Sequence, residues 1–168
     1  TGLSGSGDMT VLDGMGSYRV LNIHGVENIS ISNLKITNGQ AGTPGYWNPV
    51  LEFPLSSGGG LSIWWSDPIL ENVTFQGNTA TAEGGAMCIF FSNPILDNVL
   101  IRGNNSGLHG GGIFMIGSSP VLTNVTIREN TSWVGGGIML GGGSYDVPIF
   151  NYVTLEANEA TAGGGMMI

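Results

Sequence analysis

Residues 58–83 read GGGLSIWWSDPILENVTFQGNTATAE, and the chain repeats this pattern three more times before it opens a fifth copy. The repeats start with glycine pairs or triplets at positions 58, 84, 110, 135 and 163, which lie 26, 26, 25 and 28 residues apart. Self-similarity with a period of roughly 20 to 50 residues is typical of solenoids and propellers. The fold is therefore decided by the structure of one repeat and by the way in which the copies stack.

Each repeat predicts three short strands. Apolar residues alternate with polar ones at Leu61 and Ile63, around Leu70, and at Val73 and Phe75, and the turn residues Ser-Asp-Pro and Glu-Asn separate these runs. A period of two between turn residues is typical of β-strands. A propeller blade needs four strands and roughly 40 residues, whereas three strands fit one coil of a parallel β-helix, whose coils pair about 4.8 Å apart. We therefore predict an all-β fold, a right-handed parallel β-helix solenoid of five to six coils with about 26 residues per coil, since parallel crossovers are right-handed.

Stacking of the coils would bring equivalent residues into columns along the axis. Two inward columns are predicted, namely Phe75, Ile101, Ile127 and Leu155, and Val73, Val99, Val125 and Val153. Proline recurs at positions 68, 94, 120 and 148, where it turns a corner without removing a donor from the ladder between coils. A polar column consists of Asn78, Asn104, Asn130 and Asn158. Because a stacked asparagine can pair its amide with the asparagine of the next coil, we predict that this column is a structural ladder.

Composition limits the classes of partner. Only 10% of the 168 residues are charged, and 12 acidic against 4 basic residues give a net charge of −8. No nucleic-acid partner is expected, because no basic cluster could neutralise phosphates. No apolar run is long enough to span a membrane, so direct membrane insertion of this segment is not expected either. The single Cys88 excludes an internal disulfide.

Residues 1–168 are predicted to form a single β-helix domain with one large irregularity. Twenty residues separate Asn38 from Gly58, whereas six separate Asn78 from Gly84, so about fourteen residues leave the first coil. We predict an inserted loop over residues 40–57. Solenoids usually carry atypical capping repeats, and none is recognisable here, so we interpret the chain as a fragment of a longer protein.

The inserted loop is the predicted contact surface for a partner. It carries Tyr46, Trp47 and Phe53, and Trp133 falls at the same corner three coils further along. Loops on a rigid scaffold often carry recognition, and aromatic side chains supply large contact area at low entropic cost. The alternative is that the loop is a lid whose aromatic residues are buried against the coils.

A second candidate surface starts at the strand that follows the glycines. Trp64 and Trp65, like the Phe-Phe pair one coil later, could stack on sugar faces or could pack locally at the corner. The outward column of the same strand contains Ser62, Cys88, Phe114, Met139 and Met167. Because an outward column is normally polar, this apolar one predicts a lateral contact or a ligand platform, unless the loop covers it.

Asp67, Glu71 and Asp97 are candidate ligands for a cation. Glu71 and Asp97 fall in one outward column on adjacent coils, with Asp67 a few residues back. Two carboxylates at that spacing repel each other, which a bound Ca²⁺ would relieve, and a separation of about 5 Å also matches a retaining glycosidase. Every pair of neighbours in a column has this spacing, so solvated surface acids, a calcium site and catalysis all stay open. No other cofactor is expected.

The repeat openings and endings resemble a known family. GGA-Met at residues 84–87, the GGG openings of the other repeats, and Phe75-Gln-Gly-Asn78 with its counterparts are similar to the GGA(I/L/V) and FxxN motifs of polymorphic outer membrane protein repeats. The resemblance covers roughly residues 58–168. It implies a right-handed parallel β-helix of the pectate-lyase-like superfamily, within the passenger region of an autotransporter-like surface adhesin.

These observations predict a non-enzymatic scaffold or adhesin repeat region, located outside the cell or at the bacterial cell surface. Its expected partner is a surface glycan or a host or neighbouring protein. Regular coils, few ionisable residues and the lack of a convergent acid-base set favour this function. The alternative is a polysaccharide-binding or polysaccharide-degrading β-helix protein, a lyase or hydrolase. A third possibility is a filament-forming surface subunit.

Overall fold

A computed structural model describes residues 9–42, 56–142 and 146–168, together with the backbone of residues 47–48 and 53–54. These residues form short strands and no helix, and so no helix that could cross a membrane. The strands are β1 Thr10–Asp13, β2 Leu21–His24, β3 Ser30–Thr37, β4 Gln40–Ala41, β5 Trp47–Asn48, β6 Phe53–Pro54, β7 Leu61–Trp64, β8 Ile69–Gln76, β9 Thr79–Ala80, β10 Met87–Phe90, β11 Ile95–Asp97, β12 Leu100–Arg102, β13 Asn105–Ser106, β14 Ile113–Ile116, β15 Val121–Thr123, β16 Thr126–Arg128, β17 Thr131–Val134, β18 Ile138–Gly141, β19 Ile149–Asn151, β20 Thr154–Glu156, β21 Glu159–Ala162 and β22 Met166–Met167.

The strands stack into three parallel sheets, which are the faces of a β-solenoid of about five turns. The first face is six-stranded, in the order β2-β7-β10-β14-β18-β22. The second face is nine-stranded and contains β1, β3, β8, β11, β12, β15, β16, β19 and β20. The third face is five-stranded, in the order β4-β9-β13-β17-β21. The predicted all-β solenoid with coils about 26 residues apart is confirmed.

The core is a set of inward columns, as the repeat predicts. Phe75 pairs in register with Ile36 on one side and Ile101 on the other, and the column continues through Ile127 to Leu155. The first four of these side chains are fully buried. Burial of each of these side chains contributes roughly 1.5–3 kcal/mol. The buried apolar residues of successive coils form one cluster, so one continuous core holds the stack together.

The second face bends where each coil has an outward asparagine. Asn33, Asn72, Asn98 and Asn124 all adopt φ between 53° and 56°, and Tyr152 takes the same place with φ 54°. Asparagine tolerates this left-handed conformation better than most residues. The bend turns the chain by one corner while the strands on both sides stay in register with the next coil.

The first coil pairs with the second with Ile36 on Phe75, and the length of the predicted insertion, counted from Asn38, is off by one residue. Thr37 pairs with Gln76 and Gln40 pairs with Thr79, so Gly39 lies opposite Asn78. Asn38 therefore precedes the position of Asn78 by one residue, and it adopts the left-handed turn conformation with φ 52°. The inserted segment therefore leaves the coil after β4.

Within the inserted segment the structure describes one antiparallel pair, in which Trp47 faces Pro54 and Asn48 faces Phe53. Tyr46 lies outside the described residues. Only the backbone of Trp47 and Phe53 is described, so the predicted contact role of these three aromatic residues stays a prediction.

Candidate functional site

The corner that follows the first face carries two pairs of aromatic residues, Trp64-Trp65 and Phe90-Phe91, which we call the aromatic corner. The first member of each pair lies on the outward side of its strand, opposite to the core residues, but is largely covered. Trp64 stacks on Phe90 with ring centroids 4.0 Å apart, is only 5% exposed, and donates from Nε1 to the Ser62 hydroxyl at 3.1 Å. Trp64, a predicted binding residue, is thus nearly fully buried, and its binding role stays a prediction.

The second member of each pair faces solvent. Trp65 and Phe91 are 49% and 51% exposed, and their rings are stacked with centroids 5.8 Å apart and planes within 11° of parallel. On the far side of Phe91 a Cβ at Gly117 would lie only 2.5 Å from the Phe91 ring. Any larger residue at position 117 would therefore clash with the ring in this orientation. The ring of His24 lies 5.5 Å from that of Trp65 on the other side.

Trp65 and Phe91 adopt a left-handed backbone conformation, which is unfavourable for residues with a side chain. Their φ angles are 44° and 48°, whereas the coils on either side use glycine at this position, Gly25 with φ 61° and Gly117 with φ 60°. A side chain in the left-handed region costs about 1–2 kcal/mol. The fold thus keeps two half-exposed rings where glycine would fit without strain, and strain of this kind tends to mark functional sites.

A groove of about 580 Å³ opens beside Trp65, between the corners of the first and second coils. The groove forms where the first coil has one more residue than the second. His24 pairs with Trp64 and Ser30 with Ile69, so six positions in the first coil match five in the second. The lining consists of Val26, Glu27, Asn28, Ile29, Ser30, Trp65, Ser66, Asp67 and Ile69. Among the residues that the structure describes, the lining carries two carboxylates and no lysine or arginine.

A serine ladder fixes this corner between coils. The backbone N–H of Ser66 donates to the Ser92 hydroxyl at 3.1 Å, and Ser92 N–H donates to Ser118 at 3.2 Å. The Ser66 hydroxyl in turn accepts from the Val26 N–H at 3.1 Å, which ties the groove wall of the first coil to the second. These serines recur with a period of 26 residues, each two positions before a proline, and this spacing is the sequence signal from which the ladder could be predicted.

The three predicted cation ligands lie along one edge without enclosing a site. Glu71 and Asp97 pair in register. The Asp67 carboxylate accepts from the Asn93 N–H at 2.6 Å, and the Asp97 carboxylate from the Asn124 side chain at 3.5 Å. Among the described residues no group of three or more His, Cys, Asp or Glu side chains could hold a metal ion. The calcium site stays a prediction, and the geometry adds no support to it.

A second polar cluster lies over the outward side of the first face. Arg19 Nε donates to the carbonyl oxygens of Ser57 and Gly58 at 3.1 and 3.0 Å. The Ser57 hydroxyl donates to Glu83 Oε2 at 2.5 Å, and His109 Nδ1 lies 3.9 Å from Glu83 Oε1. These contacts join the first coil, the end of the inserted segment and the corners of the second and third coils.

This cluster lies over part of the outward column for which the sequence predicts a lateral contact or a ligand platform unless the loop covers it. Ser62 and Cys88 are both fully buried: the Ser62 hydroxyl accepts from the Trp64 indole, and Cys88 lies beside Ser57 and Arg19, whereas Met167 at the end of the column is 37% exposed. Burial, reinforced by the nearby Glu83 carboxylate, raises the pKa of the Cys88 thiol well above its ordinary value, and Arg19 opposes this only in part. A buried, protonated thiol is a poor nucleophile, so Cys88 is not expected to act as one while it stays buried.

Trp133, the remaining predicted contact residue, lies on β17 of the third face and is 58% exposed. It is three strands away from β4, where the inserted segment leaves the coil. Trp133 therefore offers an exposed aromatic ring on a different face from the aromatic corner.

Comparison of the chain with protein-family models, with curated proteins and with solved structures gives no match.

Proposed function

We propose that this chain is a non-enzymatic β-helix scaffold of a cell-surface or extracellular protein, of the adhesin type, and that it binds a surface glycan at the aromatic corner. The observation that carries the proposal is the pair Trp65 and Phe91, two parallel, half-exposed rings held at left-handed positions where neighbouring coils use glycine. Aromatic rings bind the apolar faces of sugars, and a rigid solenoid presents them without an ordering cost.

The adhesin type and the surface location rest on the repeat motifs. GGA and FxxN motifs resemble those of polymorphic outer membrane protein repeats, and the fold is compatible with that resemblance. The acidic composition, with a net charge of −8, suits a protein kept soluble outside the cell.

A non-enzymatic role is supported by the way in which the ionisable groups are used. Arg128 bonds to Glu129 on its own coil at 2.6 Å, and Arg102 donates to the Gln76 side chain at 2.8 Å. Both arginines follow the asparagine bend of the second face, whereas Glu71 and Asp97 precede it. In the part of the chain that the structure describes, these groups do not converge on a point where a substrate could meet an acid and a base together.

The test is a glycan-binding assay on Trp65→Gly, with Trp133→Ala as the matched control. Glycine adopts the left-handed conformation freely, so Trp65→Gly removes the ring while it relieves the backbone strain. We expect the affinity for the bound glycan to fall by about tenfold with little change in melting temperature. Trp133→Ala removes an equally exposed ring from the third face, and its affinity is expected to equal that of the wild type.

Two results would contradict the proposal. Wild-type affinity in Trp65→Gly would show that the aromatic corner is not the contact surface, and loss of binding in Trp133→Ala would move that surface to the third face and the inserted segment. Release of reducing ends or unsaturated uronates from any polysaccharide in the same panel would overturn the non-enzymatic assignment.

A further inference from the structure

We infer that the groove beside Trp65 selects amino sugars, meaning hexosamine residues with a free, protonated amino group. This inference rests on the proposed glycan binding and adds the chemical class of the ligand. The groove volume of about 580 Å³ lies within the range of about 300–1,000 Å³ that is usual for ligand sites.

Charge is the first argument. Glu27 and Asp67, both exposed, line the groove from adjacent coils, and the described part of the lining contains no lysine or arginine. The chain as a whole carries a net charge of −8. Uronates, sialic acids and sulfated sugars would therefore be repelled, whereas a ligand with an ammonium group would be attracted by both carboxylates.

Pre-organisation is the second argument. The Asp67 carboxylate is fixed by the Asn93 N–H, which donates to Oδ1 at 2.6 Å. On the opposite wall the first coil is tied to the second through the bond from Val26 N–H to the Ser66 hydroxyl. A carboxylate that is already oriented binds a cation without a further loss of rotamer freedom.

Trp65 supplies the third argument. Its indole ring lies between Phe91 and His24 and is 49% exposed, and this exposed part can pack against the C–H groups of a pyranose ring while the two carboxylates attract the ammonium group. A hexosamine residue presents both features together. A neutral sugar would use only the packing, so the amino sugar gains an attraction that the neutral one lacks.

The experiment compares oligosaccharides that differ only in this charge. Binding of β-linked glucosamine oligomers is measured at one fixed pH against N-acetylglucosamine oligomers of the same length and against oligogalacturonates. We expect the glucosamine oligomers to bind on the order of tenfold more tightly than the acetylated ones. Their affinity should fall as salt is raised, and the oligogalacturonates should bind more weakly than either.

Variants locate the effect. Glu27→Gln and Asp67→Asn remove one charge each at constant shape, and Asp67→Asn keeps an oxygen to accept from the Asn93 N–H. Each is expected to reduce the preference for glucosamine over N-acetylglucosamine several-fold while binding of the acetylated oligomer stays constant. Glu71→Gln is the matched control, because this exposed carboxylate belongs to the same coil but does not line the groove.

The outcomes separate this inference from the proposed function. Equal binding of both oligomers, lost in Trp65→Gly, would overturn the amino-sugar class and leave glycan binding in place. An equal effect of Glu71→Gln and Glu27→Gln would overturn it as well, since the preference would then come from net charge alone. If no oligosaccharide binds in a manner that depends on Trp65, both proposals fail.

Discussion

At the residue scale, the glycine openings of the repeats are set by backbone contacts. Gly84 has φ 65°, and a Cβ on it would lie 2.3 Å from the Met87 carbonyl oxygen. A Cβ on Gly85 would lie 2.3 Å from the carbonyl oxygen of Gly111 in the next coil. The third position already carries a methyl group in one repeat, as the fully buried Ala86. The pattern of two glycines followed by glycine or alanine therefore has a separate physical reason at each position.

This difference predicts the outcome of two alanine–glycine exchanges. Gly85→Ala forces a methyl group against the backbone of the next coil, and such overpacking costs about 1–3 kcal/mol. Ala86→Gly removes one buried methyl group and adds backbone freedom, at a cost of about 0.5–1 kcal/mol. Urea unfolding of both variants measures the two values. A Gly85→Ala variant as stable as the wild type would show that the coils do not approach as closely as the structure has them.

At the element scale, each coil is joined to the next by a buried asparagine. The Asn104 side chain accepts through Oδ1 from the N–H of Asn78 and from its side chain, at 2.9 and 3.0 Å. Its own Nδ2 donates to the Phe75 carbonyl at 3.2 Å and to Asn130 at 2.9 Å. One side chain thus serves three coils, which explains why asparagine recurs at this place with the period of the repeat.

Asn104→Ala is expected to be among the most destabilising single substitutions in the chain. It removes the acceptor of the buried Asn78 N–H and one hydrogen bond each from the Asn78 side chain, the Phe75 carbonyl and the Asn130 side chain. An unsatisfied buried group costs about 1–3 kcal/mol, so a loss of about 3 kcal/mol is expected. Asn98→Gly is the control, since it keeps the left-handed turn and gives up only an exposed bond to Asn72. Its change is expected to stay within about 0.5 kcal/mol. Equal melting temperatures for the two variants would rule out the ladder as a stabilising element.

The sequence predicts the elements better than the site. Strand register follows from the period, because Phe75, Ile101 and Ile127 can share the core only if the coils stack one repeat apart. The period does not tell which of Trp64 and Trp65 faces solvent, since that depends on a left-handed turn that most residues avoid. It also gives no sign that Arg19, from a degenerate coil, reaches over to Ser57. Contacts between non-equivalent positions carry no repeat signal, and the burial of Cys88 depends on them.

At the scale of the whole molecule, the solenoid is a linear array in which each coil contacts its neighbours, so its stability is close to a sum of coil and interface contributions. The cluster of Arg19, Ser57, Glu83 and His109 departs from this, because it connects parts of three coils and of the inserted segment. Cys88 lies directly beneath it and is fully buried. Exposure of this thiol therefore requires the first three coils to separate.

Cys88 should accordingly report on the opening of the stack. At pH 8 the native thiol is expected to react with a disulfide reagent many-fold more slowly than in urea, because burial raises its pKa and excludes the reagent.

The raised pKa of the Cys88 thiol also sets the direction in which stability depends on pH. The unfolded thiol ionises near pH 8.5 and the folded one only at higher pH, so stability is retained below about pH 8.5 and declines as the pH rises toward the folded value.

Asn104→Ala should accelerate the labelling of Cys88 because it lowers the free energy of unfolding, whereas Asn98→Gly should leave the labelling rate unchanged. Labelling of the native protein at the rate of a free thiol would contradict the covered position of Cys88 and, with it, the role of the cluster in holding the coils together.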